Sequence, residues 1–411
     1  MFFAVLPDVT RVIHHQTGLK QESMSQVTGE ANASSDELSR REMFAEIKKL
    51  CSPDNRTNLI VLVREWLVYA AIVASTLWAY QAIRDAGVSL WWMLPIYGLS
   101  VVAIAAWTQT RLSCLVHESS HYSLFKSRLV NDIVANVFVA FPFFGLIANY
   151  RIGHWGHHRH VNDPENDPDL HRLLKHQQRE FPISKLRVWW EYVFLQLSPH
   201  KAFSYLKGRA LYVAKQMSHK RVKNQDVMSP RATLALRLGF YAVLFGTLTA
   251  GGWWLHYFLF WLVPLITVYP ATLFLREIAH HGNYPDNGDF TNSRVYEGYW
   301  LEREVFFPFG EWNHVLHHMF PTIPWHKMRE AHDTMMRYPP YRDNVIICDG
   351  FFFKHHADND HPTVLDLLAA PSGQQVRRAG LSLKDDAIRD TTSKDVGATG
   401  KAKSTLLAGE S

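Results

Sequence analysis

Long apolar runs in two closely spaced pairs are the feature that most constrains the fold of this 411-residue chain. Residues 66–80 and 87–107 form the first pair, and residues 232–252 and 253–275 form the second. A helix needs about 20 apolar residues to cross a bilayer, and only short turns join the members of each pair. We therefore predict an all-α integral membrane protein with two transmembrane hairpins, which gives four spans.

A fifth apolar segment, residues 133–150, contains Pro142 and two asparagines. These residues favour a re-entrant or interfacial helix over a full span. The alternative for the four main runs is a set of buried helices in a large soluble enzyme, because the first run is short and because Arg237 and His256 lie in or beside the later ones. The paired spacing favours the membrane.

Positive charge predicts the topology. Cytoplasmic segments are enriched in Lys and Arg, so we expect the N-terminus in the cytoplasm and both hairpins returning the chain to that side. The cations that precede the first span are Lys48, Lys49, Arg56 and Arg64.

A second basic segment, residues 172–231, holds 13 Lys or Arg against 3 acidic residues and explains much of the net charge of +5. It fits the same topology rule, or a docking surface for an acidic electron donor, a carrier protein or anionic headgroups. Basic and aromatic residues do not alternate, and no nucleic-acid module is present, so we expect no nucleic-acid partner.

The division of the chain follows from its composition. Residues 1–57 are mainly polar and are predicted to form a cytoplasmic N-terminal segment, with one amphipathic helix that Ser34 and Glu37 would cap. Residues 58–350 form the predicted membrane domain, with a cytoplasmic helical cap. Residues 351–411 are predicted to be a mostly disordered C-terminal tail.

The 23 histidines are concentrated in three motifs. "HESSH" has the spacing HxxxH, and "HWGHH" and "HVLHH" share the spacing HxxHH. Residues i, i+3 and i+4 lie on one face of a helix, so we expect each triplet to aim its imidazoles at one point. The alternative roles for such histidines are pH sensing and hydrogen bonding at helix ends. The eight motif residues are His117, His121, His154, His157, His158, His314, His317 and His318.

Eight imidazoles are more than one ion can coordinate, which implies two metal ions. A closed zinc site takes four ligands, so a histidine-only cluster of this size suits a redox-active pair, and iron is the economical choice. We expect all three motifs to emerge on the cytoplasmic face. The remaining histidines, among them His160 and His355, are interpreted as bystanders.

The HxxxH, HxxHH, HxxHH set resembles the signature of the membrane fatty acid desaturase and hydroxylase superfamily, in its HxxxH-type bacterial subgroup. The stretches "YRIGHWGHHRHVNDPENDPDL" and "NHVLHHMFPTIPWHKM" are similar to its second and third boxes, and the likeness covers about residues 60–345. It implies a non-haem di-iron centre held by nine histidines. "REIAHHG" occupies the place of the ninth, where His281 fits the pattern and His280 stands where many relatives have Glu.

The same resemblance, with the local sequence, gives a set of supporting residues. The carboxylates after the second box could form a calcium loop, but Pro168 stands where an EF-hand needs Gly; hydrogen bonding to ligand histidines is the better interpretation. One asparagine stands one residue before the third box, where relatives have it two before. The supporting residues are Glu277, His280, Asp163, Asp167, Asp169 and Asn313.

The resemblance implies an O2-dependent acyl-chain desaturase in lipid metabolism. Breaking a saturated C–H bond requires an oxidant made from O2 and two electrons. The alternatives are a hydroxylase, or a desaturase of a smaller amphiphilic metabolite, since "HHMFP" is similar to the third box of bacterial relatives that include the dihydrorhizobitoxine desaturase. A histidine-rich metal transporter is a distant alternative, because transporters place their ligands near the bilayer midplane.

The electron source must be a separate protein. The chain has no haem-binding HPGG, no GxGxxG fingerprint and no CxxC among its three cysteines. We expect a ferredoxin or a cytochrome b5-type donor with its reductase. The expected substrate is an acyl-lipid, an acyl-CoA, an acyl-carrier or a small amphiphile, and the expected location is the bacterial inner membrane among membrane lipids.

Overall fold

The computed structural model describes residues 37–163, 165–169, 182–205, 207–208, 227–283 and 288–370. Within these ranges the protein is mostly helical, and the sheet consists of two parallel strands of two residues, Val295–Tyr296 and Ile347–Cys348. The helices in chain order are α1 (Arg40–Leu50), α2 (Thr57–Asp85), α3 (Leu90–Ser120), α4 (Arg128–Ala135), α5 (Ile147–Arg159), α6 (Lys185–Val188), α7 (Pro230–Gly251), α8 (Trp254–His281), α9 (Trp300–Phe306), α10 (His314–Met319), α11 (Met328–Met336), α12 (Pro339–Arg342) and α13 (Val364–Ala369).

Four helices, α2, α3, α7 and α8, are long and apolar enough to cross a membrane. They coincide with the four predicted spans. Only 22% of the most apolar window of α2 and of α3 is buried within the protein, and only 6% of that of α7. Helices inside a soluble enzyme would be covered on their apolar surface. The soluble alternative is therefore wrong, and the outward-facing surface fits lipid.

Polar contacts join the long helices to one another. The hydroxyl groups of Thr76 in α2 and Ser100 in α3 lie 2.6 Å apart. A π-helical turn interrupts α3 at Ile104–Gln109 and another interrupts α8 at Phe258–Leu262. The Gln109 amide donates a 2.9 Å hydrogen bond to the carbonyl that Trp261 presents at the second turn. Backbone groups without water must be paired inside the protein, and this contact does so at an irregular part of α8.

The segment at 133–150 does not form a spanning helix. After α4 the chain makes a short π-helix, Asn136–Ala140, then turns, and α5 begins at Ile147. Side chains from three of the long helices donate hydrogen bonds to backbone carbonyl groups of this irregular stretch. These bonds are Trp66 Nε1 to Phe138 O at 3.1 Å, Tyr241 Oη to Phe141 O at 2.9 Å, Trp261 Nε1 to Pro142 O at 2.9 Å, and Arg237 Nη2 to Phe144 O at 3.3 Å.

This segment also positions the start of α5, which carries the second histidine box. The side chain of Asn136 accepts a 3.1 Å hydrogen bond from the backbone N–H of Ile147, the first residue of α5. One turn further on, the buried Arg151 lies 2.6 Å from Asp132 in α4 and donates to the carbonyl of Ser120 at the end of α3. The first and second boxes are thus held together by buried polar contacts.

The structure bears on two predictions about the ends of the chain, and the first of them was wrong. The capping box of α1 is formed by Ser39 and Glu42, not by Ser34 and Glu37, because the helix begins at Arg40; Ser34 lies outside the described residues. Within the predicted tail 351–411, residues 351–370 are described; Phe351 is buried, and α13 packs on the core with Leu368 fully buried. Residues 371–411, and residues 172–181, 206 and 209–226 of the basic segment, lie outside the described residues.

Replacing Trp261 by Phe removes the N–H that pairs with the Pro142 carbonyl and keeps an aromatic ring in place. We expect the free energy of unfolding to fall by about 1–3 kcal/mol, the usual cost of an unpaired buried polar group. Thermal unfolding of the purified protein in detergent measures the change. The matched control is Trp78→Phe on α2, where the indole is 73% exposed. Equal unfolding midpoints for the two variants would contradict the role of this bond.

Candidate metal centre

Four helices bring the histidines together. The end of α3 supplies His117 and, as its C-cap, His121; α5 supplies the second box, the end of α8 supplies His280 and His281, and α10 supplies the third box. The apolar side chains of α10 point away from the histidine cluster. In α10, Val315 and Leu316 are fully buried in the core, and this packing fixes the orientation of the histidines on the opposite side.

The histidines form two clusters, in each of which the ligand-type ring nitrogens lie within 4.8 Å of one another. The structure brings all nine predicted metal ligands into these clusters and leaves none outside. The five-histidine cluster contains His117, His121, His154, His158 and His317, and the four-histidine cluster contains His157, His281, His314 and His318.

Each HxxHH box is divided between the two clusters. In the second box, the i, i+4 pair His154 and His158 joins one cluster, and His157 joins the other. In the third box the i, i+4 pair His314 and His318 joins the four-histidine cluster, while His317 joins the five-histidine cluster. The expectation that each triplet aims at one point is therefore wrong. Both boxes contribute to both clusters because the two helices face each other with the clusters between them.

The ring nitrogens fit metal coordination. His154 Nε2 lies 2.8 Å from Nε2 of His121 and 3.0 Å from Nε2 of His158, which in turn lies 2.9 Å from Nε2 of His317. Among the described residues, both ring nitrogens of His281 and of His318 are buried without a hydrogen-bond partner. Buried polar atoms are normally paired, and imidazole nitrogens that converge in this way are the donor set of a borderline transition metal.

Burial keeps most of these rings neutral. Removal from water, reinforced by neighbouring histidines, holds the pKa of His121, His154, His158, His314, His317 and His318 well below the ordinary value. The neutral imidazole is the form that binds metal. His157 differs: burial lowers its pKa, but the hydrogen bond and charge of Asp167, with the charges of Asp169 and Glu277, outweigh burial and raise it.

Asp167 has the supporting position that the sequence predicted. Its carboxylate is fully buried, lies 2.9 and 3.0 Å from Nδ1 of His157, and accepts the backbone N–H of Asn162 at 2.9 Å. Such a contact fixes a ligand histidine with its proton on Nδ1 and leaves Nε2 for the metal. Asp169 donates its backbone N–H to Asp167. Asp163 does not support a ligand: its exposed carboxylate accepts hydrogen bonds from Glu165 and Asn166 in its own turn.

The other predicted supporting residues take different positions. His280 stacks on His314, with ring centroids 3.8 Å apart, and lies with Glu311 in a third group of potential ligands that shares His314. Glu277 is half-buried, 3.4 Å from Arg276. Asn313 contacts the helix rather than a ligand ring: its side chain accepts the N–H of Leu316 at 3.1 Å and so caps α10.

Sequence reasoning missed Glu311. This buried carboxylate lies 2.7 Å from Nδ1 of His117 and 3.5 Å from Nδ1 of His314, and therefore touches one histidine of each cluster. Its backbone carbonyl lies 3.0 Å from Nε2 of His280. Burial raises the pKa of Glu311, but His117 and Arg276 outweigh burial and bring the pKa to about 2. The signal in the sequence is its position three residues before the third box, which is one helical turn.

Arg294 is a second residue that the sequence analysis missed. Its buried guanidinium donates hydrogen bonds to the carbonyls of Ala279 at 2.8 Å and Asn283 at 2.9 Å, and also to that of Gly282. The last carbonyls of a helix lack partners within the helix. Arg294 satisfies them at the end of α8 and so fixes the position of His281.

Comparison with known proteins identifies the family. The family model for fatty acid desaturases matches residues 89–349, which is more than half of the chain. The protein belongs to the fatty acid desaturase family. It is therefore an oxidoreductase, a desaturase, and with its four apolar helices a membrane protein. This membership decides against the metal-transporter alternative.

Three relatives of the desaturase have defined activities. The dihydrorhizobitoxine desaturase of Bradyrhizobium elkanii is 27% identical over 328 residues, covering 76% of this chain and 85% of the relative. The sn-1 oleoyl-lipid 12-desaturase of Anabaena variabilis is 25% identical, covering 74% and 83%. The sn-1 acyl-lipid omega-3 desaturase (ferredoxin) of Nostoc sp. (strain 36) is 24% identical, covering 59% and 67%.

Asp167→Asn tests the contact with His157. The amide is a weaker acceptor and carries no charge, so we expect the four-histidine cluster to lose about 10–100-fold in metal affinity while the five-histidine cluster keeps its metal. Elemental analysis after competition with a chelator measures this. Asp163→Asn, in the exposed turn, is the matched control and is expected to retain all of its metal. Equal retention by both variants would show that Asp167 does not support a ligand.

Glu311→Gln is expected to affect both clusters, because the carboxylate contacts a histidine of each. We expect affinity to fall by about 10–100-fold at both, so that less metal remains than in Asp167→Asn. Chelator competition followed with cobalt, whose absorption spectrum reports its ligands, measures occupancy and geometry together. Glu330→Gln, on the exposed side of α11, is the control. A loss confined to one cluster would refute the bridging role.

Proposed function

We propose that this protein is an O2-dependent acyl-chain desaturase with one iron in each histidine cluster. The observation that carries the proposal is the convergence of nine imidazoles, seven of them buried and two half-buried, in two clusters whose ring nitrogens lie within 4.8 Å of one another. When bound, the two irons would supply the oxidising power that a saturated C–H bond requires, using O2 and two electrons.

The protein's own residues orient the ligands and exclude water. Asp167 and Glu311 hold the Nδ1 sides of His157 and His117, so that Nε2 is free to face the metal. Aromatic rings line the five-histidine cluster: Trp155 contacts His121, with ring centroids 5.2 Å apart, and Tyr150 stacks on His154 at 5.4 Å. Such walls limit solvent access to a reactive centre.

The acyl chain is the proposed substrate class, with a smaller amphiphile as the second candidate. Two of the relatives act on acyl-lipids by name. The second candidate is favoured by the dihydrorhizobitoxine desaturase, of which this chain covers 85%. Loss of a second hydrogen gives the double bond in either substrate, whereas oxygen transfer would give the alcohol of a hydroxylase.

The proposed topology has two transmembrane hairpins, with the histidine boxes in a helical cap on the cytoplasmic side of a bacterial inner membrane and residues 58–350 as the membrane domain. Support comes from the positions of the first box at the end of α3 and of His281 at the end of α8, and from the cations before α2. We propose a separate ferredoxin or cytochrome b5-type donor with its reductase; the name of the Nostoc relative includes ferredoxin.

The test uses the purified protein with NADPH, O2, ferredoxin and ferredoxin reductase. We expect two irons per chain and formation of an unsaturated acyl product, identified by mass spectrometry, and no turnover when ferredoxin is omitted. His158→Ala and His317→Ala, both in the five-histidine cluster, are expected to abolish turnover and lower iron content. His355→Ala, on the exposed surface, is expected to change neither.

The outcomes separate the alternatives. Full iron with desaturation of dihydrorhizobitoxine but of no acyl-lipid would move the assignment to the small-metabolite desaturase. An alcohol product would identify a hydroxylase. Equal loss of iron in all three histidine variants, or turnover with NADPH and no donor protein, would refute the proposal.

A further inference from the structure

The segment of residues 184–205 has one buried face and one exposed face. Its inward face is apolar and buried, with Val188 fully buried and Tyr192 only 2% exposed. Its outward face is also apolar but uncovered: Leu186 is 80% exposed, Trp190 63% and Phe194 57%. Large apolar side chains exposed side by side indicate a contact with another apolar phase.

The position of the segment relates it to the long helices. Tyr192 packs on Phe274 of α8, with ring centroids 5.2 Å apart. Phe274 lies seven residues before His281, which is about 10 Å along the helix. The segment therefore lies beside the histidine-bearing end of a helix that can cross the membrane.

A second exposed apolar group extends this face. Trp189 stacks on Phe352 at 4.3 Å, and the next residue, Phe353, is 66% exposed. On α9, Trp300 is 65% exposed. An ion pair of 2.5 Å between Glu304 in α9 and the buried Arg111 of α3 holds that helix against the long helices. The ends of α3 and α8 are thus bordered by exposed aromatic rings.

Cations flank the exposed face of this segment. In the described part of residues 182–208, four cations stand against one carboxylate, Glu191. An apolar face flanked by Lys and Arg is typical of a helix that lies in the headgroup region of an anionic leaflet. An acidic protein partner would explain the cations but not the exposed Leu, Trp and Phe side chains. The four cations are Lys185, Arg187, Lys201 and Lys207.

We propose that residues 184–205, with Trp300 and Phe353, form a membrane-surface anchor that inserts its aromatic face into the anionic leaflet beside α3 and α8. The anchor fixes the depth of the histidine-bearing helix ends relative to the headgroups. It does not depend on which substrate the desaturase takes or on metal occupancy, so its test is separate from that of the proposed function.

The experiment places a bimane label on single cysteines of the full-length protein in nanodiscs. Cys51→Ser gives a background without the one cysteine that is partly exposed, since Cys114 and Cys348 are buried. Labels at Trp190→Cys and Trp300→Cys are expected to lose fluorescence when the nanodisc lipids carry bromine near the headgroup. The control label at Glu330→Cys, on the exposed side of α11, is expected to keep its fluorescence.

Charge reversal tests the lipid preference. Quenching of the label at position 190 by brominated lipid is expected to increase when phosphatidylglycerol replaces phosphatidylcholine in the nanodisc. The double variant Lys201→Glu, Lys207→Glu is expected to lose that increase. Two outcomes would overturn the proposal. One is the same fluorescence at positions 190, 300 and 330 in brominated lipid. The other is quenching by a dye-labelled ferredoxin at position 190 without quenching by lipid, which would make the face a donor-docking surface.

Discussion

Nine imidazoles removed from water are the constraint on which the rest of this structure depends. A buried polar group without a partner costs about 1–3 kcal/mol. Carboxylates offset this cost at the nitrogens that they contact, and the proposed metal ions would offset it at the others. Asp167 serves the four-histidine cluster, and Glu311 touches a histidine of each cluster. Arg294 then fixes the end of α8 from which His281 projects. These buried contacts hold the helix ends together.

The long apolar helices hold those helix ends in position. Lipid offers no hydrogen bonds, so each irregular backbone group at depth needs a partner from the protein. Gln109 supplies one to the π-helical turn of α8, and Trp66, Tyr241 and Trp261 supply others to the turn before α5. The same turn delivers Asn136 to the first residue of α5. The irregular segment between the first and second boxes is therefore a support for the metal centre.

The proposed anchor and the metal centre lie at the same end of α8. Tyr192 contacts that helix about two turns before His281, so a chain that leaves the headgroup region has a short path to the histidines. An acyl-lipid reaches such a site from within the leaflet. A small amphiphile reaches it from the interface. Both candidate substrates are consistent with an active centre held at headgroup depth.

The sequence by itself determined the features that depend on local spacing. The apolar runs located the four long helices, and the HxxxH and HxxHH spacings identified eight of the nine histidines of the clusters, because helix length and side-chain direction follow from residues near in the chain. The ninth, His281, came from the resemblance to the family. Only the tertiary structure decided which cluster each histidine joins, that Asp167 rather than Asp163 contacts a cluster histidine, and that Glu311 contacts one histidine of each cluster. These assignments depend on how helices far apart in sequence face one another, and no local pattern records that geometry.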